Sequence, residues 1–181
     1  MINRSDIHTV PSDGSISDGL PLQLDFRVSQ IGSASCNPLA GAVVDVWHCD
    51  AQGVYSDVSD PGFNSVGKKF LRGYQVTDEN GIAKFTTIYP GWYQGRTVHI
   101  HFKIRSDQDS TSAYEFTSQL FFDDAVTDQV YTQAPYASKG ERTLRNEGDN
   151  IFRSGGDQLL LQLSPFETGY AALFDIGLQM T

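Results

Sequence analysis

Several features are scarce in this 181-residue sequence, and each scarcity excludes a class of protein. Basic residues are few: 13 Lys and Arg stand against 22 Asp and Glu, so the net charge of −9 makes nucleic acid and anionic membranes poor partners. Apolar runs are only a few residues long, too short to span a bilayer. The 2 cysteines cannot close a zinc site alone. Linker-like stretches and repeats are also missing, so we expect one domain over residues 1–181.

Short strand-like segments dominate what is present. Alternating or β-branched patterns of half-buried strands occur in 20–28, 42–48, 70–77, 82–88, 97–104, 116–122, 158–164 and 170–178. Asn80-Gly81 predicts a tight hairpin between two of them, because both residues accept positive φ. The helix candidates, 123–131 and 142–146, are short. The pattern predicts an all-β fold, an antiparallel β-sandwich with one or two short helices.

The pattern His-Ile-His at 99–101 could carry chemistry. Residues i and i+2 of a strand face the same side, so His99 and His101 can chelate a metal ion. Taken alone, the pair is explained slightly better by two packed or surface histidines than by a metal site. Tyr93 follows a Pro-Gly turn that can fold it back toward this strand, and Tyr55 lies shortly after another predicted strand. Two phenolates with two imidazoles suit Fe(III) better than zinc or Fe(II).

Several motifs, in matching order, resemble the intradiol ring-cleavage dioxygenases, the family of protocatechuate 3,4-dioxygenase and catechol 1,2-dioxygenase. The most specific is Gly-Arg-Thr-Val-His-Ile-His-Phe at 95–102. The others are Pro-Leu-Ala-Gly-Ala-Val-Val-Asp-Val-Trp-His at 38–48, Gly-Val-Tyr-Ser at 53–56, Phe-Leu-Arg-Gly at 70–73, Thr-Asp-Glu-Asn-Gly at 77–81 and Thr-Ile-Tyr-Pro-Gly-Trp-Tyr at 87–93. The chain is most similar to small members that lack a helical dimerisation region, and the resemblance implies a transthyretin- or immunoglobulin-like sandwich.

The resemblance implies a metal centre with four protein ligands. Tyr55 matches the equatorial tyrosinate of the family, and Tyr93 matches the axial tyrosinate that leaves when substrate binds. His99 matches the equatorial histidine and His101 the axial one. The implied cofactor is Fe(III).

The resemblance also implies the reaction and its catalytic residues. Both atoms of O2 would be inserted into a catechol-type aromatic substrate to give a cis,cis-muconate. Tyr93 would act as a base, Arg96 would stabilise charge on the ring, and Gln119 would orient Arg96 or a solvent hydroxide. The alternative for Arg96 is an ion pair with one of the many carboxylates.

Two other interpretations remain open at the level of sequence. A non-catalytic transthyretin-like binding module would share the turns and core residues but would not need the histidines. A zinc or copper hydrolase is disfavoured because two tyrosines accompany the histidines and no Asp/Glu-x-x-His helix motif is present. The presence of all four candidate ligands favours the enzyme.

The remaining expectations concern residues outside the ligand set. We expect His48 to make a hydrogen bond in the core, Arg72 to pair with an acidic turn, and Trp47 and Trp92 to pack, with Trp92 next to the pocket. Cys36 and Cys49 would form one disulfide or two buried thiols. This pair resembles one in secreted small family members, so we expect a secreted or periplasmic protein, with the cytoplasm as the alternative.

Overall fold

The computed structural model describes residues 1–106 and 114–180. The strands β1 to β11 are Pro21–Ile31, Cys36–Pro38, Val43–Trp47, Ser59–Asp60, Phe63–Asn64, Arg72–Val76, Ile82–Ile88, His99–Arg105, Glu115–Phe121, Ser164–Phe166 and Gly169–Leu178. Helix α1 is Asp124–Val130, and the 3₁₀ helices are Tyr136–Lys139, Asn146–Gly148, Phe152–Ser154 and Gly156–Leu159. The predicted all-β class is therefore confirmed.

Two sheets form the sandwich. One has the order β6-β3-β8-β9 with antiparallel neighbours. The other contains β10, β11 and β1, and β1 then pairs with β7 along its first part and with β2 at its end. β1 and β11 run parallel, which departs from the predicted antiparallel arrangement. β4 and β5 form a separate two-stranded ladder.

Alternating apolar residues of both sheets meet in one core. Leu24 and Phe26 of β1 are fully buried together with Ile100, Phe102 and Ile104 of β8. The Phe26 and Phe102 rings lie 5.4 Å apart, so the two sheets contact each other directly. Removing such side chains from water supplies most of the stabilisation of a sandwich of this size.

The predicted hairpin at Asn80-Gly81 is wrong, because β6 and β7 belong to different sheets. The turn itself forms: Gly81 has a φ of +75°, and Asp78 Oδ1 accepts hydrogen bonds from the amides of Asn80 and Ile82 at 2.9 Å. The carbonyl of Gly81 then accepts a hydrogen bond from Val28 N of β1 at 2.8 Å. At this turn the chain crosses from one sheet to the other, where β7 pairs with β1.

The predicted strand at 158–164 is also wrong. This segment begins in the 3₁₀ helix Gly156–Leu159, which follows Gly155 in a left-handed conformation with a φ of +106°. A Cβ at Gly156 would lie 2.7 Å from the ring of Phe152, so the chain curls closely around that ring. Strand structure resumes only in β10.

The helix predicted at 123–131 is confirmed, with Asp123 as the N-cap that accepts from two backbone amides of the first turn. The segment 142–146 is not a helix. Arg142 instead reaches α1, where its Nη2 lies 2.8 Å from Asp128 Oδ1. In the described part of the chain, no helix is long and apolar enough to cross a membrane.

The two cysteines differ from both sequence alternatives, since they are free thiols and only one is buried. Cys36 is exposed at the start of β2. Cys49 is buried just after β3, and its Sγ donates to the carbonyl of Gly91 at 3.3 Å. Burial raises the pKa of the Cys49 thiol to about 12.

Candidate metal centre

His99 and His101 lie on the face of β8 that points away from the core. Their Nε2 atoms are 3.1 Å apart, and the ring of His99 is almost fully buried. The intervening Ile100 points into the core. The i, i+2 spacing therefore places two imidazoles side by side, as the sequence predicts.

Tyr55 and Tyr93 reach the histidine pair from two separate loops. The Tyr55 Oη lies 3.4 Å from His99 Nε2, and the Tyr93 Oη lies 3.2 Å from the same nitrogen. The two phenol rings meet edge to face with their centroids 5.6 Å apart. All four side chains predicted as ligands are thus gathered in one cluster.

The two tyrosine loops hold each other in place through close backbone contacts. Gly53 has a φ of +79°, and a Cβ there would overlap the carbonyl oxygen of Trp92. Gly91 N donates to the carbonyl of Asp50 at 3.0 Å. Lys139 Nζ donates to the carbonyl of Trp92 at 2.5 Å and to that of Gln52. These contacts fix the loop before Tyr55 against the loop before Tyr93.

The four side chains of the cluster are neutral near pH 7 when no cation is present. Burial lowers the pKa of His99 to about 3 and that of His101 to about 4. Burial also raises the pKa of both phenols, Tyr55 and Tyr93. His99 Nδ1 donates to the carbonyl of Thr97 at 2.7 Å, because a carbonyl can only accept. The neutral ring therefore turns an unprotonated Nε2 toward the cluster.

The donor set fits a ferric ion. Atoms held about 2.1 Å from one centre lie roughly 3.0 to 3.4 Å from each other. The three contacts of His99 Nε2 measure 3.1, 3.2 and 3.4 Å. Within residues 1–106 and 114–180, no group of three or more His, Cys, Asp or Glu side chains is placed to hold a metal. The oxygens that face His99 Nε2 are those of the two phenols, and ionised phenols favour Fe(III).

Arg96 and Gln119 lie beside the cluster and contact each other. Arg96 Nη2 donates to Gln119 Oε1 at 2.6 Å, and Gln119 Nε2 lies 3.4 Å from His101 Nδ1. The antiparallel register of β8 and β9 explains this, since Gln119 is directly opposite His101. Arg96 Nε also donates to Asp149 Oδ2 at 2.8 Å. Arg96 therefore forms the ion pair that was the alternative to its catalytic role, and it also has the expected contact with Gln119.

Asp149 is the residue beside the site that sequence reasoning missed. Its side chain is 1% exposed. Burial alone would raise the pKa of this carboxyl, but hydrogen bonds from Arg96 and from backbone amides lower it. Asp149 lies 53 positions from Arg96, and no periodic pattern or motif joins the two. An Arg in a recognised motif signals that a carboxylate partner exists, but not which one.

Trp47 and Arg72 flank the histidine side of the cluster. The Trp47 ring stacks on the His101 ring, with centroids 4.9 Å apart and planes within 1° of parallel. Arg72 Nε donates to Ser56 Oγ at 2.7 Å, next to Tyr55 in the chain. The expected packing role of Trp47 is confirmed. Arg72 is bound to an acidic turn as expected, but through hydrogen bonds to Ser56 and the nearby charge of Asp57 rather than through a direct ion pair.

His48 is buried outside the cluster. Its Nε2 lies 2.7 Å from Thr87 Oγ1, and its Nδ1 lies 2.8 Å from the carbonyl of Cys49. Burial lowers the pKa of His48 to about 4, so the ring is neutral. The predicted hydrogen-bonding role in the core is confirmed.

A cleft of 630 Å³ opens beside the two phenols. Tyr55 and Tyr93 form part of its wall, together with the apolar side chains of Val54, Phe63 and Trp92. A larger groove of 710 Å³ lies farther along the outer face of the β6-β3-β8-β9 sheet, but no phenol of the cluster lines it. An aromatic ring in the smaller cleft would contact these apolar side chains and the two phenols of the cluster.

Comparison with known proteins identifies similar sequences. A family model described as Dioxygenase matches residues 8–147, which is more than half of the chain. Chlorocatechol 1,2-dioxygenase of Pseudomonas putida is 33% identical over 106 residues, covering 48% of this chain and 39% of that protein. Catechol 1,2-dioxygenase of Candida albicans is 31% identical over 117 residues, covering 52% of this chain and 37% of that protein. The chain thus spans well under half the length of these relatives.

Solved structures also share the fold. An intradiol ring-cleavage dioxygenase from Tetranychus urticae superposes with a TM-score of 0.84 at 28% identity, covering 98% of this chain and 87% of that one. The dioxygenase domain of a carbohydrate-binding fusion protein from Streptomyces sp. SirexAA-E gives a TM-score of 0.65 at 27% identity, covering 99% and 89%.

Proposed function

This chain belongs to the intradiol ring-cleavage dioxygenase family, and from that premise we propose that it holds Fe(III) and opens catechol-type rings with O2. The expected product is a cis,cis-muconate, cleaved between the two hydroxyl-bearing carbons. The observation that carries the proposal is the convergence of Tyr55, Tyr93, His99 and His101 in one cluster. A transthyretin-like binding module has no use for two phenols and two imidazoles at one point.

Four residues would hold the iron. His99 and His101 offer neutral imidazole nitrogens, and Tyr55 and Tyr93 would bind as phenolates after losing their protons to solvent. The bound ferric ion would supply the Lewis acidity that draws both catechol oxygens to the site and activates the ring toward O2. The names of the similar proteins, chlorocatechol and catechol 1,2-dioxygenase, support a catechol-type substrate.

Tyr93 is the residue of this chain that would take a proton from the substrate. Tyr93 is less buried than Tyr55, and it lies on the wall of the cleft. An incoming catechol hydroxyl can therefore reach the Tyr93 oxygen from the cleft side. A Tyr93 phenolate would accept the catechol proton at its Oη, and the catechol oxygen would carry the negative charge in its place, so no charge would be left uncompensated.

Arg96 and Gln119 would act on the substrate ring. Gln119 and Asp149 bind the two ends of the Arg96 guanidinium, so the position of its positive charge is fixed before substrate binds. A fixed cation in a site that excludes water stabilises negative charge developing on the ring. Gln119 also lies against His101, so it links the cation to the ligand strand.

The reaction itself tests the proposal. The iron-loaded protein is supplied with catechol and ¹⁸O₂, and the product is identified by mass spectrometry. We expect cis,cis-muconate carrying two ¹⁸O atoms, and no product from the same protein stripped of iron. A ring-opened aldehyde, or a stable iron-loaded protein that leaves a panel of catechols unchanged, would contradict the proposal.

A further inference from the structure

The carboxylate of Asp149 is buried and fully hydrogen-bonded. Oδ2 accepts from Arg96 Nε at 2.8 Å and from Thr97 N at 2.9 Å. Oδ1 accepts from Ile151 N at 2.8 Å and from Phe152 N at 3.1 Å. Three of these four donors are backbone amides, so the position of the carboxylate is set by the main chain rather than by flexible side chains.

We propose that Asp149 is a positioning residue of the site and acts through Arg96. Its carboxylate holds the Nε end of the guanidinium, while Gln119 accepts from the Nη2 end. The inference rests on the proposed function, since Arg96 matters only if charge develops beside it. The family model ends its match at residue 147, so Asp149 lies beyond the matched segment.

The geometry makes Arg96 dependent on two fixed acceptors. An arginine side chain that is 20% exposed has few waters to replace a lost partner. With both acceptors present, the planar guanidinium of Arg96 has one orientation, so its positive charge has a fixed position. Without Asp149, Gln119 is the one acceptor that the described residues leave to Arg96, and the guanidinium can rotate about that single contact. Preorganised charge is the part of electrostatic catalysis most easily lost by such freedom.

The same carboxylate also ties Arg96 to the ligand strand. Thr97 donates its amide to Asp149, and its carbonyl accepts from His99 Nδ1 at 2.7 Å. Thr97 Oγ1 donates to Asn146 Oδ1 at 2.7 Å, and Asn146 Nδ2 donates to the carbonyl of Phe122 at 2.8 Å. These hydrogen bonds fix the position of the segment that carries Asp149 relative to the start of β8, the strand that carries both histidines.

Only a carboxylate suits this position. Asp149 meets four N–H donors and offers no donor of its own. The isosteric Asp149→Asn places an NH₂ group against two of those donors, whichever way the amide is turned. The side chain keeps its shape, so the variant removes the acceptor without opening a cavity.

The first test is a double-mutant cycle on kcat with catechol. Asp149→Asn should lower kcat at least ten-fold in the iron-loaded protein and less than two-fold when Arg96→Ala is already present, because the residue acts through Arg96. Iron content should stay unchanged. The matched control is Asp45→Asn, which removes another buried aspartate paired with an arginine, Arg105 at 2.9 Å, and should leave kcat unchanged. An equal loss in both Arg96 backgrounds would overturn the proposal.

The second test needs neither iron nor turnover, so it separates failure of this inference from failure of the proposed function. The ¹H–¹⁵N signal of Arg96 Nε should show slow hydrogen exchange in the metal-free protein, and Asp149→Asn should make that exchange fast. The Nε of Arg153, an exposed residue, is the internal reference. If Asp149→Asn does not fold, the wild type alone decides: an Arg96 Nε proton that exchanges as fast as that of Arg153 overturns the proposal.

Discussion

The two faces of β8 (His99–Arg105) have different roles, although the strand has only seven residues: one face packs in the core and the other carries the histidine pair. The inner face presents Ile100, Phe102 and Ile104, which are fully buried against the opposite sheet. The outer face presents His99 and His101, and Tyr55 and Tyr93 approach His99 from two loops. One strand therefore supplies both the centre of the core and half of the donor cluster.

The difference between the faces lies in how each is completed. Strands of the opposite sheet complete the inner face, and the two-residue period of each strand is sufficient to turn the apolar side chains toward each other. Loops complete the outer face, and their contacts depend on individual glycines and hydrogen bonds. Changes on the inner face should therefore cost stability, whereas changes on the outer face should cost metal binding and chemistry.

His101→Ala tests the outer face, where it should produce the largest loss of iron binding. Removing one of four donors should weaken iron binding by more than about 100-fold, since even partners outside the ligand set matter 10- to 100-fold. Iron per chain is measured after dialysis, and unfolding is followed in parallel. Lys103→Ala, two residues along the same face, is the control and should keep its iron. Stoichiometric iron in His101→Ala would remove His101 from the ligand set.

Phe102→Ala tests the inner face. The ring packs between Phe26 and Phe174, with centroids 5.4 and 5.7 Å away, so truncation leaves a cavity in the middle of the core. The free energy of unfolding should fall by about 3 to 5 kcal/mol. Urea unfolding of the metal-free protein measures this directly. A loss below about 1 kcal/mol would mean that the sheets do not depend on this contact.

Tyr93→Phe should separate chemistry from metal binding within the outer cluster. Three donors remain, so most of the iron should stay bound. The oxygen that accepts the catechol proton is lost, so kcat should fall by about 100-fold. Steady-state kinetics and the visible spectrum are recorded together. Normal turnover with an unchanged colour would contradict the placement of Tyr93 as the ligand that substrate displaces.

The reactivity of the two thiols tests only how deeply each cysteine is buried, and it should change neither stability nor iron binding. At pH 8 a thiol reagent should react rapidly with exposed Cys36 and slowly with buried Cys49, whose pKa is raised to about 12. Cys36→Ser should abolish the fast phase. Two fast thiols in the folded protein would show that the loop covering Cys49 opens readily.

Much of the fold follows from local patterns. The bounds predicted for the strand at 82–88 agree with Ile82–Ile88, because alternation and the preceding turn define both ends. The hairpin at Asn80-Gly81 was predicted wrongly because a turn signal specifies a reversal, not the sheet that receives the chain. The strand at 158–164 was predicted wrongly because the packing of Gly156 against Phe152 is a tertiary contact with no period.

The site divides in the same way. The placement of His99 beside His101 follows from strand geometry alone. The approach of Tyr55 and Tyr93 came from family resemblance, because it depends on two loops meeting at Gly53 and Trp92. Asp149 could not be predicted, since its contact with Arg96 depends on how the end of a 3₁₀ helix lies against the residues just before β8.

In the proposed site, two phenolates and two imidazoles of the outer face would hold Fe(III) where a catechol can reach it. A visible absorption spectrum of the iron-loaded protein, taken without oxygen before and after adding catechol, tests it most directly. We expect a tyrosinate-to-iron charge-transfer band that moves to longer wavelength when catechol binds. A folded protein that stays colourless after reconstitution with ferric iron would contradict it.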